Sequence, residues 1–260
     1  MRISAALLLL LPLSARAETL RVCADPNNLP FSNRAGEGFE DKIAMLVARD
    51  LHMDVRHAYA LQNERFLKHT LLARKCDVVM GVSTGVDELD TTRPYYASTY
   101  VFVTRAPLKI ASLQDPRLRG LKIGAHLIGD ESTPPMLALG REGIVDNVRG
   151  FMIQSGFDKP NPAARPVEAV AHKDIDVAAV WGPFGGYFAK RSPVALNVVA
   201  MTGTGRFAPL RFQFAIAMGV RKGDPLKARL DDVIAREGPA IRRILSDYGV
   251  PEVPEVSNHG

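Results

Sequence analysis

The stretch DVAAVWGPFGGYFA, residues 176–189, gives the strongest indication of the fold of this chain. DVAAVW has the short, continuous apolar character of a buried strand, and the glycine-rich residues after it predict a turn into a helix. Trp181 falls at the carboxyl end of this strand, where open α/β sheets place the side chains that face a ligand. The stretch therefore predicts an α/β sheet with an aromatic side chain in its binding crevice.

Strands and helices alternate through the rest of the chain in the same way. Apolar runs at 20–25, 76–80, 98–104 and 212–220 predict further strands, and apolar residues at helical spacing predict a helix over 39–51. Such alternation is typical of parallel sheets covered by helices on both faces, so it predicts the α/β class.

Two further segments are predicted to be helical. The apolar residues within 144–154 predict one helix. Residues 225–237 and 239–248 predict two separate helices, because Pro239 lacks the backbone N–H that a continuous helix needs.

The first residues have the features of a cleaved signal peptide. Arg2 is followed by an apolar run that is too short to span a bilayer, and Ala15 and Ala17 provide the small residues of a cleavage site. No later segment of the sequence is long and apolar enough to predict a membrane span. We therefore expect residues 1–17 to be removed and the protein to be exported to a bacterial periplasm.

Composition and charge argue against several classes of function. The net charge of +5 is small for a chain of 260 residues, and no dense basic run with interleaved aromatic residues predicts binding to nucleic acid. None of the six histidines pairs with another histidine or a cysteine at metal-ligand spacing. The sequence thus predicts neither a metal nor a nucleic-acid site.

The two cysteines, Cys23 and Cys76, form an even pair in a chain that is expected to be exported. Such pairs are more often disulfide-bonded than free, and closing this loop would stabilise the fold by about 4 kcal/mol. A disulfide is the favoured interpretation, and two buried thiols are the alternative.

Several motifs together resemble the family-3 extracellular solute-binding proteins. The matching stretches are LRVCADPNNLPFSN (20–33), CDVVMGV (76–82), TTRPYYASTYVFVTR (91–105), GLKIGA (120–125) and FAIAMGVRKGD (214–224). The combination of CADPNNLPFSN with VWGPFGGYFA is similar to one subgroup, the periplasmic proteins of the MoxJ/XoxJ type. These are associated with pyrroloquinoline-quinone (PQQ) alcohol dehydrogenases of methylotrophic bacteria.

The resemblance implies a bilobal, type II periplasmic-binding-protein fold with two doubly wound sheets joined by two hinge crossings. The first lobe would comprise residues 18–104 plus 213–260, and the second lobe residues 105–212. The crossings are expected near residues 100–105 and 211–215.

Two positions depart from the pattern of amino-acid receptors in this family. Where those receptors carry an arginine for the ligand carboxylate, this chain has Gly85 or Val86, and Trp181 stands where they carry an aspartate for the ammonium group. A buried zwitterion would lose these charged partners, at a cost of several kcal/mol. Uptake of ordinary amino acids is therefore disfavoured.

The residues predicted to line the cleft are mostly aromatic or uncharged, which is typical of the core of a protein interface. Tyr96, Trp181 and Phe184 are equally compatible with simple core packing. The predicted set is Asp25, Asn27, Asn28, Phe31, Ser83, Thr84, Tyr95, Tyr96, Trp181, Pro183 and Phe184.

The resemblance implies a non-enzymatic protein that binds a PQQ-dependent methanol or alcohol dehydrogenase, including lanthanide-dependent forms, and helps to mature or activate it. The dehydrogenase's cytochrome c is a second expected partner. One alternative is an ABC-transporter receptor for a small neutral or aromatic solute. A third is a dehydratase-like enzyme that uses Asp25 or Glu131. No bound cofactor is expected, because the predicted cleft loops lack the basic residues that would hold the carboxylates of PQQ itself.

Overall fold

The computed structural model describes residues 18–129, 131–153 and 161–254. The predicted signal peptide, residues 1–17, lies outside the described residues. The described chain is a mixed α/β structure, so the predicted class is confirmed. None of its helices combines the length and the apolar character that crossing a membrane requires.

The strands are β1 Thr19–Ala24, β2 Asn27–Asn28, β3 Ser32–Asn33, β4 Asp54–Tyr59, β5 Val78–Ser83, β6 Asp90–Thr91, β7 Tyr96–Arg105, β8 Ile123–Ile128, β9 Glu131–Ser132, β10 Val148–Met152, β11 Val177–Trp181, β12 Leu196–Ala200 and β13 Gln213–Val220. The α-helices are α1 Phe39–Asp50, α2 Phe66–His69, α3 Pro134–Arg141, α4 Arg165–His172, α5 Gly182–Lys190 and α6 Leu226–Asp247. Short 3₁₀ turns cover Pro116–Gly120, Pro162–Ala164 and Thr204–Phe207.

The principal sheet has eleven strands, whose main path runs β10-β8-β11-β7-β13-β5-β1-β4. β1 is parallel to both β4 and β5, and β8 is parallel to both β10 and β11. We call β13, β5, β1 and β4 the first half-sheet and β11, β8 and β10 the second half-sheet. Each half-sheet is thus built around a parallel pairing, as the alternating sequence pattern predicts.

β7 joins the two half-sheets within a single ten-residue strand. Its first residues, Tyr96 to Thr99, pair antiparallel with β13, and the residues from Tyr100 onward pair antiparallel with β11. β12 pairs with β7 from Val101 to Arg105. The predicted lobes, residues 18–104 plus 213–260 and residues 105–212, stay a prediction. Strand β7 continues across the predicted boundary between residues 104 and 105.

Separate hydrophobic cores support the two half-sheets. Leu20 and Met80 of the first half-sheet pack with Phe39 of α1 and Leu230 of α6. The second half-sheet has a core on each face, because successive residues of a strand point to opposite sides. Tyr100 and Phe102 of β7 lie in one of these cores, and Val101 and Val103 lie in the other.

The helices α5 and α6, which pack against different half-sheets, also touch each other. Lys190 at the end of α5 donates hydrogen bonds to the carbonyl oxygens of Ser246 and Asp247 at the end of α6, over 3.3 and 2.9 Å. The ring of Tyr187 stacks on that of Tyr248, with 5.6 Å between the ring centroids. A Cβ atom placed on Gly186 would overlap the carbonyl oxygen of Gly249. This contact is a second link between the two half-sheets.

The helix predicted over 144–154 is wrong. Residues Val148–Met152 form β10, an edge strand parallel to β8 in which Phe151 is buried. A short apolar run fits a helix and a strand equally well, and here the free edge of β8 decides the outcome.

The prediction of two helices over 225–248 is also wrong, because α6 continues through Pro239. Buried residues lie on both sides of the proline, among them Val233 and Ile241, and α6 packs against α1. The burial of one continuous apolar face therefore outweighs the hydrogen bond lost at the proline.

The predicted disulfide is present between Cys23 of β1 and Cys76, just before β5, with a Cα–Cα distance of 5.4 Å. We expect the double variant Cys23→Ala/Cys76→Ala to lose about 2–5 kcal/mol in free energy of unfolding, measured by urea denaturation. A reducing agent should destabilise the wild type and leave the double variant unchanged. Two free thiols titrated in the denatured wild-type protein would contradict the bond.

The contact between α5 and α6 predicts that Gly186→Ala is destabilising. The added methyl group must push the backbone at Gly249 aside, which we expect to cost about 1–3 kcal/mol in thermal or chemical unfolding. Gly140→Ala in α3 is the matched control, because a Cβ atom there meets nothing within 4 Å and alanine favours a helix. Equal stability of the two variants would show that the contact is loose.

Candidate functional site

A cavity of about 790 Å³ opens between the two half-sheets. It is lined by residues that follow or end the parallel strands of both half-sheets, where α/β proteins bind their ligands. The first half-sheet with its loops and helix α1, together with β7, contributes Asp25, Asn27, Asn28, Phe31, Glu40, Leu61, Gln62, Asn63, Glu64, Gly81, Ser83, Tyr96, Tyr100, Phe214 and Ile216. The second half-sheet contributes His126, Ile128, Gly129, Glu131, Thr133, Ile153, Pro162, Trp181 and Phe184.

Most of the residues predicted from the sequence lie together on this lining. They are Asp25, Asn27, Asn28, Phe31, Ser83, Tyr96, Trp181 and Phe184. Thr84, Tyr95 and Pro183 are not among the lining residues. Tyr95 is buried in the core, where its hydroxyl donates to the carbonyl oxygen of Met80 over 2.9 Å. The role of the whole set in binding a partner stays a prediction.

Aromatic rings form a large part of the cavity wall. The centroid of the Trp181 ring lies 5.3 Å from that of Tyr100 and 5.7 Å from that of Phe214, and the rings are steeply tilted to one another. Phe31 and Phe184 meet edge to face at 5.1 Å, from opposite half-sheets. Trp181 also packs against cores of both half-sheets, so it has a structural as well as a lining position.

Asp25 organises the loop after β1. One carboxylate oxygen accepts a hydrogen bond from the backbone N–H of Asn27 over 2.8 Å, and the other accepts from that of Gln62 over 2.6 Å. Burial raises the pKa of Asp25, although both backbone hydrogen bonds oppose the rise. Because both carboxylate oxygens already accept hydrogen bonds, Asp25 fixes the loop that carries Asn27 and Asn28.

Glu40 is a cavity residue that the sequence interpretation missed. It lies in the first turn of α1, and its carboxyl group packs so closely over Gly81 of β5 that a side chain at that position would overlap it. Burial, together with the negative charge of the neighbouring Asp41, raises the pKa of Glu40 to about 8, and a hydrogen bond with Tyr95 limits the rise. Glu40 is therefore mostly protonated at neutral pH. Its place in the first turn of a helix that starts at the carboxyl edge of the sheet was the available signal.

His126 is a second missed residue. It lies in β8, is 1% exposed, and its Nε2 atom is 3.1 Å from the carbonyl oxygen of Ala163. Burial lowers the pKa of His126 to about 4, so the ring is neutral at neutral pH and Nε2 is the donor of this bond. In the sequence His126 directly follows the family-like stretch GLKIGA (120–125), and it was not included in the predicted cleft set.

The described part of the lining carries four acidic side chains. Glu64 and Glu131 join Asp25 and Glu40, and neither lysine nor arginine occurs among the lining residues within the described ranges. The described part of the lining thus offers no lysine or arginine to pair with a carboxylate, and the interpretation of Gly85 and Val86 stays a prediction. Nor do the histidines, cysteines and carboxylates of the described residues form a group of three suited to a metal ion.

Comparison with known proteins places this site in context. No protein-family profile matches the chain. The chain is 32% identical to "Protein MoxJ" of Methylorubrum extorquens, over 93% of this chain and 84% of that protein. It is 28% identical to "Protein MoxJ" of Paracoccus denitrificans, over 96% and 95% of the two chains.

Solved structures agree with these relatives. The periplasmic binding protein XoxJ from Methylobacterium extorquens AM1 is similar with a TM-score of 0.76 and 33% identity, over 91% of this chain and 100% of that one. MxaJ from Methlophaga aminisulfidivorans has a TM-score of 0.78 and 27% identity, over 90% and 100%. An ancestral cationic amino acid solute-binding protein, 19% identical with a TM-score of 0.68, shares the fold. The predicted periplasmic-binding-protein fold is confirmed.

The shifted pKa values of Glu40 and His126 predict opposite effects of pH on the free energy of unfolding. The pKa of Glu40 rises from 4.5 to about 8, so between these values the folded protein holds a proton that the unfolded chain has lost, and stability falls as the pH rises. The pKa of His126 falls from 6.5 to about 4, so its contribution to stability is lost as the pH falls through that window. The two effects partly cancel where the windows overlap.

Glu40→Gln isolates the first effect. From pH 6.5 to 8 the wild type should lose up to about 1.4 kcal/mol of unfolding free energy per pH unit relative to the variant. Urea denaturation of both proteins across this range measures the difference. Stability curves that stay parallel would contradict the raised pKa of Glu40.

Proposed function

Because this chain belongs to the MoxJ family, we propose that it is a non-enzymatic, periplasmic accessory factor that binds a PQQ-dependent methanol or alcohol dehydrogenase and helps to mature or activate it. A segment of the dehydrogenase would dock into the cleft between the half-sheets. The dehydrogenase's cytochrome c is a further candidate partner. The similarity to XoxJ, described as a periplasmic binding protein, and the disulfide support an oxidising, extracytoplasmic location.

The chemistry of the cavity wall is the observation on which this proposal rests. Amino-acid receptors must pair the carboxylate of their ligand, and no lysine or arginine lines this cavity within the described residues. An unpaired buried carboxylate would cost several kcal/mol. Trp181, Tyr96 and Phe31 instead provide the large apolar and amphipathic surface that anchors protein segments at interfaces.

The contacts between α5 and α6 support docking into an open cleft. Lys190, Tyr187 and Gly186 hold the end of α5 against the end of α6, in addition to the link through β7. A second link restricts the hinge motion by which transport receptors enclose a solute. The half-sheets would then present a preformed surface to a partner.

The second candidate function is a solute receptor of an ABC transporter. The cavity volume favours it, since about 790 Å³ lies within the range of pockets that hold small molecules. A thermal-shift screen separates the candidates, because a tightly bound solute raises the melting temperature by mass action. The dehydratase alternative has less support, since both carboxylate oxygens of Asp25 accept backbone hydrogen bonds and Glu131 is exposed.

The proposed partner is tested by direct binding to the PQQ-dependent dehydrogenase of the same organism. We expect Trp181→Leu to weaken binding about thirtyfold, as for an aromatic anchor at the centre of an interface, measured by surface plasmon resonance. Leu137→Ala is the control, because Leu137 is 45% exposed and lies outside the cavity lining. Both variants must first show a cooperative melting transition. Absence of binding by the wild-type protein, to both the apo and the PQQ-loaded enzyme, would refute the proposal.

A further inference from the structure

We propose that the cavity binds an organic cation, a protonated amine or a guanidinium group that carries no neighbouring carboxylate. The cation would come either from a free small amine or from a basic side chain of a docked protein segment. The inference concerns the chemistry of the cavity and stands whether or not the proposed dehydrogenase is the partner.

The aromatic wall is the first reason. The ring of Trp181 is steeply tilted to those of Tyr100 and Phe214, with centroid distances of 5.3 and 5.7 Å, and it is not stacked parallel on either. Phe31 and Phe184 add two further rings at 5.1 Å. Aromatic faces attract cations, and quaternary ammonium ions are recognised by groups of aromatic rings. A neutral apolar ligand would use the same rings but would bring no positive charge to the acidic side chains of the lining.

The position of Glu40 is the second reason. Its carboxyl group lies at the cavity wall between α1 and β5, directly over the backbone of Gly81. The titratable groups that act on it are Asp41 of α1, Tyr95, and Tyr96 of β7, while Gly81 of β5 brings none. Among the described residues no cationic side chain is seen to act on Glu40, and a bound cation would be the group that favours its ionised form.

Ligand binding should then be coupled to a proton. In the empty cavity burial holds the pKa of Glu40 near 8, and a cation beside the carboxyl group favours the ionised form. Binding near neutral pH would release up to one proton and would strengthen as the pH rises. Neutral ligands would show neither effect. Proton release therefore distinguishes a bound cation from a neutral ligand even where the two bind with similar affinity.

The third reason is that no lysine or arginine occurs among the described lining residues. A cation that also carries a carboxylate would find no basic partner for it there. A free amino acid would bring a carboxylate into a cavity whose described lining has no lysine or arginine to pair it. An amine, a quaternary ammonium ion or a capped arginine brings positive charge alone. The inferred ligand class is therefore narrower than that of an amino-acid receptor.

Isothermal titration calorimetry on the wild-type protein tests the inference with two matched pairs of probes. Acetyl-arginine amide is compared with acetyl-citrulline amide, which has nearly the same shape and no charge. Trimethylphenylammonium is compared with its neutral isostere, tert-butylbenzene. We expect at least one cation to bind about tenfold more tightly than its neutral counterpart. Preference for the capped arginine indicates a protein side chain as the source, and preference for trimethylphenylammonium indicates a free amine.

Glu40→Gln is expected to weaken cation binding about tenfold and to abolish proton release, read from the dependence of the binding heat on the buffer. Glu88→Gln is the control, because Glu88 is exposed and lies outside the lining. Circular dichroism and melting curves establish that both variants are folded. Equal affinity for cation and isostere, no binding of either cation up to about 1 mM, or unchanged binding by Glu40→Gln would overturn the inference. None of these results bears on binding of the dehydrogenase, which is measured separately.

Discussion

The backbone pairing of β7 is the constraint on which the site depends. This strand is hydrogen-bonded to β13 along its first residues and to β11 and β12 along the rest, and the side chains from Tyr96 to Thr104 are all buried. A strand of this kind restrains the distance and twist between the half-sheets through its backbone hydrogen bonds. Tyr96, Tyr100 and Trp181 consequently meet at the junction, where the parallel strands of both half-sheets end.

The same junction brings two titratable side chains to the cavity wall. Helix α1 begins at the edge of the first half-sheet, so its first turn brings Glu40 to the wall, and β8 brings His126 from the other side. Burial drives both groups towards their neutral forms. The sequence predicts a mostly aromatic and uncharged surface, whereas the structure adds the titratable side chains of Glu40 and His126 to it. These two polar groups distinguish the cavity wall from an ordinary hydrophobic interface.

Sequence reasoning was most reliable where local pattern and tertiary structure agree. The α/β class, the disulfide and the strand ending at Trp181 were predicted, because short buried runs and cysteine usage carry that information locally. The family fold was predicted only through the resemblance of several motifs to known solute-binding proteins. Strand β10 and the continuity of α6 were missed, since an edge-strand partner and a long buried helix face are non-local features. Glu40 was missed for a related reason: an acidic residue in a first helical turn usually faces solvent, and only the fold turns it inward.

The disulfide has a consequence for the order in which the protein assembles. β1, β4 and β5 come from the first third of the chain, whereas β13, which fills the place between β5 and β7, comes from near its end. A chain that emerges amino terminus first must hold β5 with an open edge until that late strand arrives. A covalent tie between Cys23 and Cys76 needs neither β13 nor the second half-sheet, so it can lock the neighbouring early strands in register while the remainder of the polypeptide is still on its way.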